Sequence, residues 1–328
     1  MDKILITGGA GFIGSHLSEL LLEQGRQVTV IDDLSTGRLE NVNHLRRFPR
    51  FQFVRETITN KQVLDRLTSE SAMVIHLAAA VGVKLIVENP VHTIETNILG
   101  TERVLQTANR YGSKVLIAST SEVYGKGISV PFREEDDRVM GATTKNRWAY
   151  ATSKAVDEFL GLAYYSQFEL PVVIMRFFNT VGPRQRGRYG MVVPRFVRQA
   201  LRNEPLTVYG DGQQSRCFAD VADVARAIAG LMECEQAVGE VFNIGNTEEV
   251  TIRELAERVI VLSGSTSEIV HIPYEEAYQP GFEDMRRRVP SIEKINAMIG
   301  YEPQYRLDDI LRRVIDYERE RVQRKDAP

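Results

Sequence analysis

The run Lys3-Ile4-Leu5-Ile6-Thr7 passes directly into Gly8-Gly9-Ala10-Gly11-Phe12-Ile13-Gly14, and then into an amphipathic stretch, Ser15 to Gln24. A short apolar strand, a glycine-rich turn and a helix, in that order, leave few folds open. Gly8, Gly11 and Gly14 have the spacing G-x-x-G-x-x-G, a variant of the dinucleotide-binding fingerprint. The first glycine suits a tight turn, and the second lets the backbone approach a diphosphate. The third permits close helix–sheet packing, and the helix start supplies the positive end of a dipole. Glycine spacing alone is weak, since plain strand–helix turns also collect glycine. An acid at the end of the second strand gives it weight. That acid is Asp32, followed by Asp33, Leu34, Ser35, Thr36 and Gly37. A carboxylate there accepts both ribose hydroxyl protons and repels a 2′-phosphate, favouring NAD over NADP. Asp33 is the alternative for that role.

The same alternation continues. Strands are expected at Ile4–Thr7, Val28–Asp32, Phe51–Val54, Met73–Leu77, Val115–Ser119 and Val172–Phe177. They are continuous apolar runs, as in sheets covered by helices on both faces. Helices are expected at Ser15–Gln24, Val63–Thr68, Asn97–Tyr111 and Tyr150–Ser166, with Gly25 and Gly112 at their C-terminal ends. The fold class is α/β, a doubly wound parallel Rossmann sheet. After Asn179 the texture changes to a Pro/Gly/Arg loop, a helix at Val192–Arg202 and a short strand at Leu206–Tyr209. Asp220–Glu233 reads as a helix, and Val241–Gly245 as a strand returning to the main sheet. Thr251 and Glu254 make a capping box. We expect a smaller C-terminal α/β substrate lobe interleaved with the first: residues 1–179 plus about 213–247 for the cofactor, 180–212 plus 248–328 for the substrate.

Composition closes off other classes. The 41 Lys+Arg against 44 Asp+Glu leave a formal net charge of -3, so no nucleic-acid partner is expected. Five scattered histidines (His16, His44, His76, His92, His271) form no H-x-x-x-H pair, and no metal site is expected. Cys217 and Cys234 lack C-x-x-C spacing, which favours a reducing compartment. No apolar run approaches the roughly 18 residues of a membrane span. With no room for a signal peptide before Lys3, a cytoplasmic location is expected.

Tyr150 and Lys154 stand at i and i+4, which on a helix places both on one face. A nearby ammonium stabilises phenolate, so the Tyr150 pKa is expected to fall towards the range of a general base. A lone Y-x-x-x-K usually marks a solvated helix face. Here a hydroxyl-rich strand end, Ser119-Thr120-Ser121-Glu122-Val123-Tyr124-Gly125, lies shortly before it.

Together these motifs resemble the extended short-chain dehydrogenase/reductases, the NAD-dependent nucleotide-sugar epimerases, dehydratases and decarboxylases. The resemblance covers essentially the whole chain. It includes Thr7–Gly14, Asp32–Gly37, His76-Leu77-Ala78-Ala79, Thr96-Asn97, Tyr150/Lys154, Phe178–Arg184 and Leu206–Gly212. It implies that Thr120 bonds the sugar 4-OH, Tyr150 is the base and Lys154 binds the nicotinamide ribose. It places Gly8, Gly11, Phe12, Ile13, Gly14, Asp32, Asp33, Ser35, Thr36 and Gly37 at the cofactor, with Leu77, Ala78, Ala79 and Asn97. Where the family often has a Gly-Asp pair at the adenine, this chain has Glu56-Thr57, so Thr57 and Ile58 are expected there. At the substrate it implies Asn179 near the diphosphate, Val193–Phe196 on the uracil side, and Arg216 as a phosphate contact. Arg184 and Tyr209 are expected beside them. A homodimer through the helices Asn97–Tyr111 and Tyr150–Ser166 is also implied.

The two residues after Thr120 discriminate among the reactions. In the family, 4-epimerases have small uncharged residues there and 4,6-dehydratases Asp-Glu. Ser121-Glu122 resembles the UDP-glucuronate decarboxylases. Oxidising C4 of a uronic acid makes a ketone β to the C6 carboxylate, and such β-keto acids lose CO₂ readily. Ser121 and Glu122 are then expected to manage the enolate and the proton at C5. Arg147-Trp148 before Tyr150 fits the same group, as does the segment 281–291, whose Arg288 is expected over the reacting centre. Lys84 is a cation that could meet the substrate carboxylate. The reading is a UDP-glucuronate decarboxylase, with a UDP-sugar 4-epimerase, a 4,6-dehydratase and a non-catalytic NAD(H) sensor as alternatives.

Overall fold

The computed structural model describes residues 3–81, 89–127, 129–187, 191–273, 276 and 285–326, with backbone alone at 147 and 324–326. Among the described residues, the main sheet has seven strands, all parallel. They are β1 (Lys3–Thr7), β2 (Gln27–Ile31), β3 (Phe51–Val54), β4 (Met73–His76), β5 (Lys114–Thr120), β6 (Val172–Phe177) and the late strand Val241–Ile244. The spatial order is Val241–Ile244, β6, β5, β4, β1, β2, β3. The chain builds outward from β1 to β3, then returns to β4 on the other side of β1. The loops leaving β1 and β4 therefore diverge, opening a crevice at the carboxyl ends of the strands.

Alternate residues of each strand feed opposite faces. Ile4 and Ile6 pack with Leu17, Leu21, Val224 and Ile228, under the helices Phe12–Glu23 and Val221–Glu233. Leu5 and Val74 pack with Val104, Leu105 and Ala108 on the other face. A third core, including Val193, Phe196, Leu206, Leu255, Val259 and Leu311, closes the lobe beside the sheet. The capping box forms: Thr251 Oγ1 accepts from the Glu254 amide, and the Glu254 carboxylate accepts from the Thr251 amide.

Four helices start earlier than apolar periodicity indicates, one of them at Lys61 rather than Val63. The other three begin at Phe12, Pro90 and Arg147 rather than Ser15, Asn97 and Tyr150. The extra seven residues, Pro90–Thr96, about two turns, are mostly polar, so the periodic signal misses them. Pro90 itself sits at the helix start, where its missing N–H costs nothing.

Candidate active site

A single crevice of about 1060 Å³ runs from the glycine turn, past the ends of β4 and β5, into the lobe. Gly8 has φ +68°, and a Cβ there would lie 2.8 Å from the Ala78 Cα. This close approach of the β1 and β4 loops needs glycine. A Cβ on Gly14 would lie 2.6 Å from the Gly9 Cα. The helix Phe12–Glu23 opens on Gly11 with no side-chain cap and no acid in its first turn. Its first amides therefore remain for an anion at the floor of the crevice. Asp32, 7% exposed, lines the same end and accepts from the amides of Ala10 and Leu34. Glycine cradle, uncapped helix start and carboxylate together fit NAD.

Of the residues expected at the cofactor, Gly8, Gly11, Phe12, Ile13, Gly14, Asp32, Asp33, Ser35, Thr36, Thr57, Ile58, Leu77, Ala78 and Ala79 all line the crevice. Gly37 and Asn97 lie behind its wall. Gly37 packs so close to Asp32 that a Cβ would meet Oδ1 at 2.7 Å. Asn97 is 1% exposed, accepts from the Ala80 amide and donates to Ser153, pinning the loop after β4 to the catalytic helix.

At the middle of the crevice, β5 delivers Thr120, a short 3-10 turn (Ser121–Tyr124) delivers Ser121 and Glu122, and the helix Arg147–Phe168 delivers Tyr150 and Lys154. The Glu122 amide donates to Thr120 Oγ1, and Thr120 hydrogen-bonds Tyr150. Lys154 is buried, and its Nζ lies 2.6 Å from the fully buried Asp157 Oδ2. This corrects the expected electrostatics of the base. The Tyr150 pKa is pushed up, by burial first and then by the carboxylates of Glu122 and Asp157. The Lys154 ammonium is paired with Asp157, and the net shift on Tyr150 is upward, against the fall that the i, i+4 spacing alone suggests.

Arg288 reaches this centre from the far end of the chain, with its guanidinium 2.7 Å from Glu122 Oε1. The two-residue strand Arg287–Arg288 explains which arginine enters. Successive side chains alternate, so Arg287 is exposed on Glu249 while Arg288 is 7% exposed and lines the crevice. Residues 281–284 and Lys84 lie outside the described residues. So does the side chain of Arg147, although Trp148 is buried beside it.

Below the crevice, a buried network ties these elements together. Ser119 Oγ donates to Glu158, which also accepts from Arg176 at 3.0 and 2.7 Å. Arg176 donates to Tyr124 Oη at 2.9 Å, and Tyr124 donates to Asn243 at 2.7 Å.

In the lobe, Asn179, Val193, Tyr209 and Arg216 line the crevice. Asn179 donates to the Cys217 carbonyl at 2.9 Å, joining the end of β6 to the strand that carries Arg216. Arg184 lines it too, but its guanidinium goes to Glu19, 2.7 Å away. Arg186, Gln214 and Phe218 are lining residues that the motifs did not single out, and Arg195 lies within the segment Val193–Phe196 expected at the uracil side. Arg195 stacks over the Tyr209 ring at 4.0 Å.

The fold and this site define an NAD-dependent, nucleotide-sugar-modifying enzyme of the extended short-chain dehydrogenase/reductase type. The chain belongs to the GDP-mannose 4,6 dehydratase family, whose description matches residues 5–314. It is 43% identical to a UDP-N-acetyl-alpha-D-glucosaminuronate decarboxylase of Bacillus cytotoxicus, over 97% of this chain and 98% of that one. It is 38% identical to UDP-glucuronic acid decarboxylase 1 of Danio rerio, over 96% of this chain and 72% of that one. Among solved structures, UDP-glucuronic acid 4-epimerase from Bacillus cereus, in complex with UDP-glucuronic acid and NAD, superposes with a TM-score of 0.87. That pair shares 32% identity over 97% of this chain and 99% of the other.

Proposed function

We propose that the protein is an NAD-dependent decarboxylase of UDP-activated uronic acids, yielding a UDP-pentose or its 4-keto precursor. The observation that carries this reading is the Glu122–Arg288 pair set against Thr120 and Tyr150. A bare carboxylate there would repel an anionic uronate. Paired with a buried guanidinium, it leaves the centre able to accept one. The decarboxylase relatives support this over the 4-epimerase alternative.

The glycine turn would hold the NAD diphosphate, Asp32 the adenosine ribose and Lys154 the nicotinamide ribose. When bound, NAD supplies the acceptor for the C4 hydrogen and later its donor. Tyr150 takes the 4-OH proton while Thr120 bonds the same oxygen. The C5–C6 bond of the resulting β-keto acid breaks, CO₂ leaves, and the electron pair passes into the C5–C4–O enolate. Glu122 and Ser121 govern delivery of one proton to C5, and Tyr150 returns its proton to the C4 oxygen. Residues 180–212 and 248–328 hold the uridine diphosphate in this reading, and Asn179 and Arg216, at the edges of the cofactor-binding residues, reach its phosphates. Residues 1–179 and about 213–247 hold NAD.

Incubation of the pure protein with UDP-glucuronate, and separately with UDP-N-acetylglucosaminuronate, tests the proposal. One of them should release CO₂ stoichiometrically with a UDP-pentose product. A C4 epimer with no CO₂ from either would overturn it.

The exposed face of the helices Pro90–Tyr111 and Arg147–Phe168 supports a homodimer. Val91 is 66% exposed, Leu99 43% and Phe159 63%, whereas Val104 and Leu105 belong to the core of the monomer. Sedimentation should give a dimer, and Phe159→Glu should give monomers. A monomeric wild type would refute it. The free cysteines Cys217 and Cys234 support a cytoplasmic location.

A further inference from the structure

Asp157 has no part in the proposed reaction, yet it is fully buried one helical turn beyond Lys154. Removing a carboxylate from water is costly, and a buried ion pair often adds little net stability over apolar packing. Its surroundings carry a directed chain of hydrogen bonds. The Ala78 amide, on the crevice wall, donates to Thr7 Oγ1 at 3.2 Å. Thr7 is fully buried, so its own proton is satisfied by donating to His76 Nδ1, 2.8 Å away. That fixes the imidazole tautomer: Nε2–H donates to Thr101 Oγ1 at 3.1 Å. The Thr101 hydroxyl is left to face Asp157: burial pushes that carboxyl up, and the Lys154 ammonium and then Thr101 favour its charged form. Asp157 Oδ1 nevertheless has no hydrogen bond of good geometry, while Oδ2 takes the Lys154 ammonium.

From this arrangement we infer that Asp157 is a positioning residue: it anchors the Lys154 ammonium beside Tyr150 and sets the pH at which Tyr150 acts. The inference rests on Tyr150 being the base. Lys154 has more N–H donors than Asp157 uses, so the anchor leaves the ammonium able to meet a ribose hydroxyl. Among the described residues, the charged and titratable groups around the pair are few. On the same helix they are Tyr150, Lys154 and Glu158; from β4 comes His76, and from the turn after β5 comes Glu122. Burial holds His76 down at about 3, so it is neutral at any working pH and its chain brings no charge of its own. Glu122 is held by Arg288, and Glu158 by Arg176. Asp157 is the anion that sits directly on Lys154.

The sign follows from which charge is removed. An anion near a phenol disfavours phenolate, so neutralising Asp157 lowers the Tyr150 pKa. Asp157→Asn keeps an oxygen for Lys154 but unmasks the ammonium charge. The acid limb of the kcat–pH profile should therefore move to lower pH by about one unit, with the KM for the nucleotide sugar little changed. Asp157→Glu, if it folds, should return the limb towards the wild-type position. Asp157→Ser removes the same charge and serves if the Asn variant does not fold. A limb that stays in place in the neutral variants, whatever happens to turnover or melting temperature, would reduce Asp157 to a structural ion pair. Tyr150→Phe in the same assay separates the two ideas. If Tyr150→Phe still turns over with the same acid limb, the base assignment fails. If it is inactive and the Asp157→Asn limb is unmoved, the role of Asp157 fails alone.

Discussion

Tyr150→Phe should bind NAD and the nucleotide sugar normally, yet release CO₂ about a thousandfold more slowly than the wild type. The ring keeps its shape, so the crevice wall is retained, and what is lost is one oxygen opposite Thr120. Without it, nothing at that point takes the 4-OH proton as the C4 hydrogen leaves. In a single turnover, the absorbance of reduced nicotinamide should fail to appear. The wild type carries a matching pH signature. Burial and the carboxylates of Glu122 and Asp157 push the phenol above its usual value, so the base form is scarce at neutral pH. Activity should rise with pH along that limb. Wild-type rates from Tyr150→Phe would remove Tyr150 from the mechanism.

Glu122→Gln should slow turnover by about a hundredfold while leaving NAD affinity unchanged. The substitution preserves shape and removes charge, leaving the 7% exposed Arg288 without its counter-ion. The C4 oxidation does not need Glu122, so reduced nicotinamide should accumulate during turnover as protonation at C5 stalls. Loss of the Glu122 charge also relieves Tyr150, so the acid limb should shift downward even as the maximum falls. Undiminished CO₂ release would refute the role at C5. Slow turnover with no accumulated reduced nicotinamide would move the role of Glu122 to the oxidation step.

Much of this architecture is legible in the chain because the signals are local. A strand, Gly8–Gly14 and a helix are contiguous, and Tyr150 and Lys154 meet on one helix face by spacing alone. Thr120, Ser121 and Glu122 follow from a strand end. Long-range partnerships are another matter. Among arginines 286–288, only the family resemblance singles out Arg288; the two-residue strand that turns it into the crevice carries no periodic signal of its own. The Lys154–Asp157 pair is local in sequence but reads as an ordinary charged helix face until burial is known. Asn97 matched a cofactor motif, and its side chain turned to the Ala80 loop and Ser153 because buried amides require partners. The start of the helix Pro90–Tyr111 was missed by about two turns, because its first residues are mostly polar.

The Ser119–Glu158–Arg176–Tyr124–Asn243 network has a consequence for how such a chain can change its chemistry. It couples the strand that presents Thr120, the helix that presents Tyr150 and the turn that presents Glu122 into one chassis. The side chains at 121, 122 and 288 line the crevice and take no part in that network. Retooling this enzyme for a different sugar reaction is thus a matter of three interchangeable fittings, whereas a change at Glu158 or Arg176 would misalign every reaction the frame could host.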